Sequence, residues 1–141
     1  MGRINCNRVW IGGIVGWLVW MVWSGITNFF VLMPRYTQAQ EAGQLLKDPR
    51  YGFFVPAWFG LLLILALVSA WLYAAARTTL GAGPVTAIKL GLGLGFVAGF
   101  PLAFSLAAWA PMSRVIPLWW MLELWIGAIL ATFTAGWLYR D

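Results

Sequence analysis

The sequence contains no histidine, a single cysteine (Cys6) and only four acidic residues, Glu41, Asp48, Glu123 and Asp141. Each scarcity closes a class of chemistry. Without histidine, the commonest general base and the commonest axial ligand to haem iron are missing. One cysteine makes no intrachain disulfide, no CxxC redox pair and no cysteine-built metal site. No nucleophile has a base to partner it, so the chain reads as a non-enzyme with no catalytic residue, no metal and no cofactor site.

Charge is scarce too. Charged residues make up 9% of the chain against 62% hydrophobic, with a mean hydropathy of +0.83. That is too little polar surface to cover a water-soluble globule of 141 residues. The expected surroundings are a lipid bilayer. Four apolar stretches, residues 9–33, 53–76, 84–110 and 117–139, each reach the roughly 20 helical residues that cross a hydrocarbon core of about 30 Å. Arg3 and Arg8 before the first stretch would suit a signal peptide, but its 25 residues exceed an apolar region of about 7–15. The expected fold is therefore all-α: one polytopic domain over residues 1–141, built as a bundle of four transmembrane helices.

The net charge of +5 comes from nine basic residues scattered over termini and short loops, which argues against a nucleic-acid partner. Arg3, Arg8, Arg77, Lys89 and Arg140 fall on one side of the membrane, and Arg35, Lys47, Arg50 and Arg114 on the other. This excess of one, together with Glu41 and Asp48 in the longest loop, favours cytoplasmic termini. In that loop, "PRYTQAQEAGQLLKDPRYG", Thr37 and Gln40 fit a capping box, with Ala42, Leu45 and Leu46 on a short surface helix. The competing reading is an ordinary connector closed by Asp48 and Pro49.

What the chain has in quantity is tryptophan and glycine. Of eleven tryptophans, Trp10, Trp71 and Trp137 fall near one membrane face and Trp58, Trp109, Trp119 and Trp120 near the other, as an interfacial belt requires. Trp17, Trp20, Trp23 and Trp125 lie deeper, where they either pack within the bundle or touch lipid, pigment, quinone or another subunit. The third stretch carries Ala87, Gly91, Gly95, Gly99, Ala103 and Ala107 at a spacing of four. Such a stripe permits the close helix approach on which association in lipid depends. Gly12 and Gly16, and Ala128, Thr132 and Gly136, offer partner surfaces, and Pro101 should bend the third helix. The endings "SAWLYAAAR" and "AGWLYRD" echo each other at one face, as a duplicated pair of parallel helix hairpins would.

One carboxylate interrupts the last stretch. Glu123 lies six residues into it, about 9 Å below the interface at 1.5 Å per residue. The same depth holds Asn28, Thr27 and Ser105, with Ser24 close by, and predicts a polar layer in that half of the bundle. An ionised carboxylate in hydrocarbon costs at least about 2.5 kcal/mol, so Glu123 should point inward, be protonated, or borrow a snorkelling Arg114 or Arg35. It serves either as a hydrogen-bond staple between helices or as a proton-coupled site for a lipophilic cation.

The stretches "WLYAAARTTLGAGPVTAIKLGL" and "LELWIGAILATFTAGWLYRD" resemble an uncharacterised bacterial family of four-helix membrane proteins. The likeness rests on Gly81, Gly83, Pro84, Thr86, Ala87 and Ile88 in the turn, and on Glu123, Ala135, Gly136, Trp137, Leu138 and Tyr139 in the last helix. It covers the second half of the chain and implies four-helix topology in a bacterial inner membrane, with no assigned activity. The expectation is an accessory or scaffolding subunit of a larger membrane complex, respiratory or photosynthetic, surrounded by lipid and other subunits.

Overall fold

The structure, a computed structural model, describes residues 4–139. Among them there is no strand, and four helical stretches are long and apolar enough to cross a membrane. Helix α1 (Cys6–Ile26) runs through a six-residue π-helical segment (Thr27–Leu32) directly into α2 (Met33–Glu41). Then follow α3 (Phe54–Leu80), α4 (Pro84–Trp109) and α5 (Val115–Leu138). The chain is a multi-pass membrane protein of all-α class. Arg3, Arg140 and Asp141 lie outside the described residues.

The first span differs from its expected end at residue 33. Pro34 would close a helix if the preceding turn were regular, because it offers no N–H and its ring crowds the carbonyl four residues back. Here the wider turn absorbs it: the Met33 N–H bonds the Asn28 carbonyl five residues earlier, and Pro34 falls in the first turn of α2. The helical stretch of 36 residues is about 54 Å long at 1.5 Å per residue, so its polar end emerges from a core of about 30 Å. Consequently Thr37 caps nothing. It sits within α2 with its hydroxyl on the Met33 carbonyl, and Gln40 instead ties the Leu46 and Lys47 carbonyls at 3.1 and 3.2 Å. Residues 42–53 form turns rather than a surface helix, starting at Gly43 with φ of 71°.

The bundle is organised around α5. It packs against α4 along much of its length and also against α1 and α3, while α3 and α4 touch only lightly. Small residues make these approaches possible. A Cβ added to Gly91, Gly95 or Gly99 would lie 2.6, 2.7 or 3.1 Å from backbone atoms of Ile129, Trp125 or Met121. On α1, one at Gly12 or Gly16 would lie 3.1 or 2.8 Å from the backbone of Ala135 or Ala131. Thus α4 faces residues 121, 125 and 129 of α5, and α1 faces residues 127, 131 and 135. Two residues on an α-helix are about 200° of rotation, so α1 and α4 lie on opposite sides of α5. Of the expected partner surfaces, Ala128 meets Gly91 and Gly136 meets Ala87, both of the small-residue stripe, with Tyr73 also against Gly136, whereas the Thr132 hydroxyl bonds the Ala128 carbonyl of its own helix.

The echoed sequence endings perform matching tasks. Tyr73, near the end of α3, accepts a hydrogen bond from the N–H of Gly83, the residue that caps α4. Tyr139, at the end of α5, accepts one from the N–H of Asn5, which caps α1. The two rings meet edge to face at 6.4 Å, with the Arg77 guanidinium over Tyr139. Each hairpin therefore supports the start of the other, and Asn5 and Tyr139 sit at the same end of the bundle. The glycines of the "GAGP" turn are needed there: Gly81 and Gly83 adopt φ of 86° and 138°, which side chains with a Cβ rarely reach.

Gly95 and Gly93 provide a direct test of this packing, since nothing lies within 4 Å of a Cβ at Gly93. Gly95→Ala should destabilise the bundle by about 1–3 kcal/mol through overpacking. Gly93→Ala should be neutral, or gain up to about 1 kcal/mol of helix propensity. Reversible unfolding of both variants in one detergent mixture decides it, and equal stabilities would place the glycine stripe against lipid.

Candidate functional site

Burial of Glu123 follows from the α5 face it occupies. It precedes Gly127, Ala131 and Ala135 by whole multiples of four residues and so shares the seam with α1. Its side chain is 2% exposed. Across the seam, Trp23 donates its indole N–H to the backbone carbonyl of Glu123 at 3.1 Å. The Ser24 hydroxyl lies beside the Glu123 carboxyl, while Oε1 has no protein partner.

From Ser24 a chain of polar groups leads to the end of the bundle. The Asn28 amide donates to the Ser24 carbonyl at 2.9 Å and to its hydroxyl at 3.4 Å. The Tyr36 hydroxyl donates to Asn28 Oδ1 at 3.2 Å, and the Trp120 indole donates to the Tyr36 oxygen at 2.6 Å. Every donor points the same way, from Trp120 toward Ser24, an arrangement in which successive bonds polarise one another. The π-helical segment makes the Asn28–Tyr36 link possible. Eight residues of uninterrupted α-helix overshoot two turns by about 80°, and the wider turn takes part of that rotation back.

The expected polar layer is thus real in part and different in membership. Asn28 belongs to it, at one remove from the carboxyl. Thr27 is buried in the layer but spends its hydroxyl on the Trp23 carbonyl of its own helix. Ser105 does not belong: it is exposed, because the face α4 turns to α5 is fixed by Gly95, Gly99 and Ala103, and Ser105 lies about 200° around from Ala103. No basic side chain forms an ion pair with Glu123 among the described residues, so neither Arg114 nor Arg35 is borrowed. Ser24, Tyr36 and Trp120 complete the network. Ser24 stands close to the layer by sequence position, four residues before Asn28, whereas Tyr36 is hidden by ending the first helix at Met33.

Three of the four deep tryptophans are explained as fasteners between helices. Trp17 of α1 donates to the Phe59 carbonyl of α3, Trp23 to Glu123, and Trp125 of α5 to the Leu92 carbonyl of α4, at 3.1, 3.1 and 3.0 Å. Each uses the second lone pair of a helix carbonyl. Trp20 fits none of these patterns. It is 1% exposed, packs into the notch left by Gly127, and its indole N–H has no protein partner. At the membrane faces Trp10, Trp71, Trp109 and Trp137 are exposed, as an interfacial belt requires.

Two clefts, of about 290 and 480 Å³, lie at the Tyr139 end. The first is lined by Cys6, Val9, Trp10, Leu67, Val68 and Trp71, the second by residues including Tyr73, Arg77 and Pro84, and neither reaches Glu123. Among the described residues no group of three or more histidine, cysteine, aspartate or glutamate side chains could hold a metal ion. The chain matches no family model, and neither a curated protein nor a solved structure is significantly similar to it.

Removing one hydroxyl tests the network. Tyr36→Phe leaves Trp120 without an acceptor and Asn28 without a donor, and should cost about 1–2 kcal/mol. Ser105→Ala, outside the network, should stay within about 0.5 kcal/mol of the parent. Unfolding titrations in lipid bicelles check both, and equal losses would deny the network any special weight.

Proposed function

We propose that this protein is a non-enzymatic accessory or scaffolding subunit of a larger membrane assembly in a bacterial cytoplasmic membrane, with both termini in the cytoplasm. The observation that carries this reading is the closed Glu123 site. A carboxyl group 2% exposed, approached by Ser24 and not reached by either cleft, suits a staple between helices better than a chamber for substrate. The placement of α4 adds to it. This helix is held along one side by α5 and turns Leu92, Phe96, Val97, Leu102 and Phe104 outward, a face that lipid or a neighbouring subunit would cover. The resemblance to the four-helix bacterial family supports the same cell location. A respiratory or photosynthetic complex is the proposed setting, with lipid or pigment contacts to that face.

Extraction of native membranes with a mild detergent, followed by size-exclusion chromatography, tests the proposal. Co-elution with a defined set of membrane subunits is expected. Elution of the chain alone, with no partner recovered from any gentle detergent, would overturn it.

A second reading rests on the unpartnered Glu123 Oε1 and the lack of an ion pair there: proton-coupled exchange of a lipophilic cation, in which proton and cation compete for one carboxylate. The two readings separate on Glu123→Gln, which keeps size and an acceptor but cannot release a proton. The staple reading expects a folded, assembling variant and no pH-gradient-driven uptake of a quaternary ammonium dye by parent or variant in liposomes. Uptake by the parent that disappears in Glu123→Gln would favour exchange.

A further inference from the structure

The α1–α5 seam holds two buried polar atoms of opposite kind that the protein itself leaves unpaired: a donor, Trp20 Nε1, and an acceptor, Glu123 Oε1. Both side chains are at least 98% buried. Leaving either atom unsatisfied costs about 1–3 kcal/mol, so two such atoms on one seam call for a common explanation.

Their placement supplies it. The Trp20 indole lies against Gly127, and Glu123 is one turn earlier on the same face of α5. Four residues rise about 6 Å along a helix. No direct N–H···O bond joins the two atoms, and two bonds in series through one oxygen span on the order of 5–6 Å. We propose that the seam is a binding site for a single water molecule that accepts the hydrogen bond of the Trp20 indole and donates one to Glu123 Oε1. Only a group able to accept and donate at once satisfies both atoms, which excludes a metal cation and an ammonium ion as bridges. The pairing holds for an ionised carboxylate and equally for a neutral one protonated on Oε2, because Oε1 accepts in both. Gly127 is essential to the site, since a side chain there would collide with the indole. With this water in place, Trp20 and Glu123 are joined across the seam, beside the hydrogen-bonded thread that runs from Ser24 through Asn28 and Tyr36 to Trp120.

Nitrogen-15 indole NMR of the full chain in nanodiscs tests the site. Trp20→Phe identifies the resonance, with backbone-directed sequential assignment as the route if that variant does not fold. The Trp20 indole proton should show a cross-relaxation peak at the water frequency, retained in Glu123→Gln, where the amide oxygen still accepts. The interfacial Trp109, 88% exposed, serves as the control for bulk solvent: its N–H should exchange into deuterium oxide at least tenfold faster. A Trp20 indole with no water peak in the parent, or one exchanging as fast as Trp109, would overturn the proposal.

Discussion

Helices in a bilayer gain nothing by hiding apolar side chains from one another, because lipid is as apolar as leucine. What holds this bundle is the close approach of backbones to α5, and nearly every other feature follows from it. Glycine and alanine let α1 and α4 reach that helix on opposite sides, with added Cβ atoms at Gly16 and Gly95 falling within 2.8 and 2.7 Å of its backbone. Once the backbones are that near, the second lone pairs of helix carbonyls become reachable. Trp17, Trp23 and Trp125 take them, which converts shape into register. Glu123 can be buried only because the same face carries Gly127 and Ala131 below it.

The paired tyrosines show how two hairpins share one centre. Tyr73 and Tyr139 each hold the residue that caps a helix of the other hairpin, and they touch one another. The duplication is nevertheless imperfect. α4 contacts α3 only lightly, whereas the corresponding pair, α1 and α5, forms the polar seam. The carboxyl group and its network occur on one side alone, so whatever that seam does is asymmetric within a nearly two-fold frame.

Four helices and their order were legible because composition and run length report directly on the bilayer, and the spacing of Gly91, Gly95 and Gly99 reports on a packed face. Depth counting puts Asn28 and Ser105 at the level of Glu123; Asn28 bonds Ser24, one residue removed from the carboxyl, whereas Ser105 is exposed. Depth is one coordinate, and the rotation of α4, set by its glycine stripe, is another. The end of the first helix was misread at Pro34 because a π-helical turn has no signature in residue type: it is a compromise between a missing N–H and the packing on either side. Tyr36 was lost to the site with it. Trp20 and Gly127 are separated by more than a hundred positions, and only the fold brings ring to notch.

The central claim is that α5 lies between α1 and α4, and disulfide trapping in a Cys6→Ser background measures it most directly. Gly12 and Ala135 bring a built and a real Cβ to 3.2 Å, slightly inside the usual range of about 3.5–4.5 Å for a disulfide. Cysteines introduced at these two positions should therefore cross-link readily in native membranes under mild oxidation. A second pair, at Gly16 and Gly91, joins α1 to α4 at a similar depth on opposite sides of α5 and should remain reduced. Cross-linking of that second pair, with none at Gly12 and Ala135, would contradict the account.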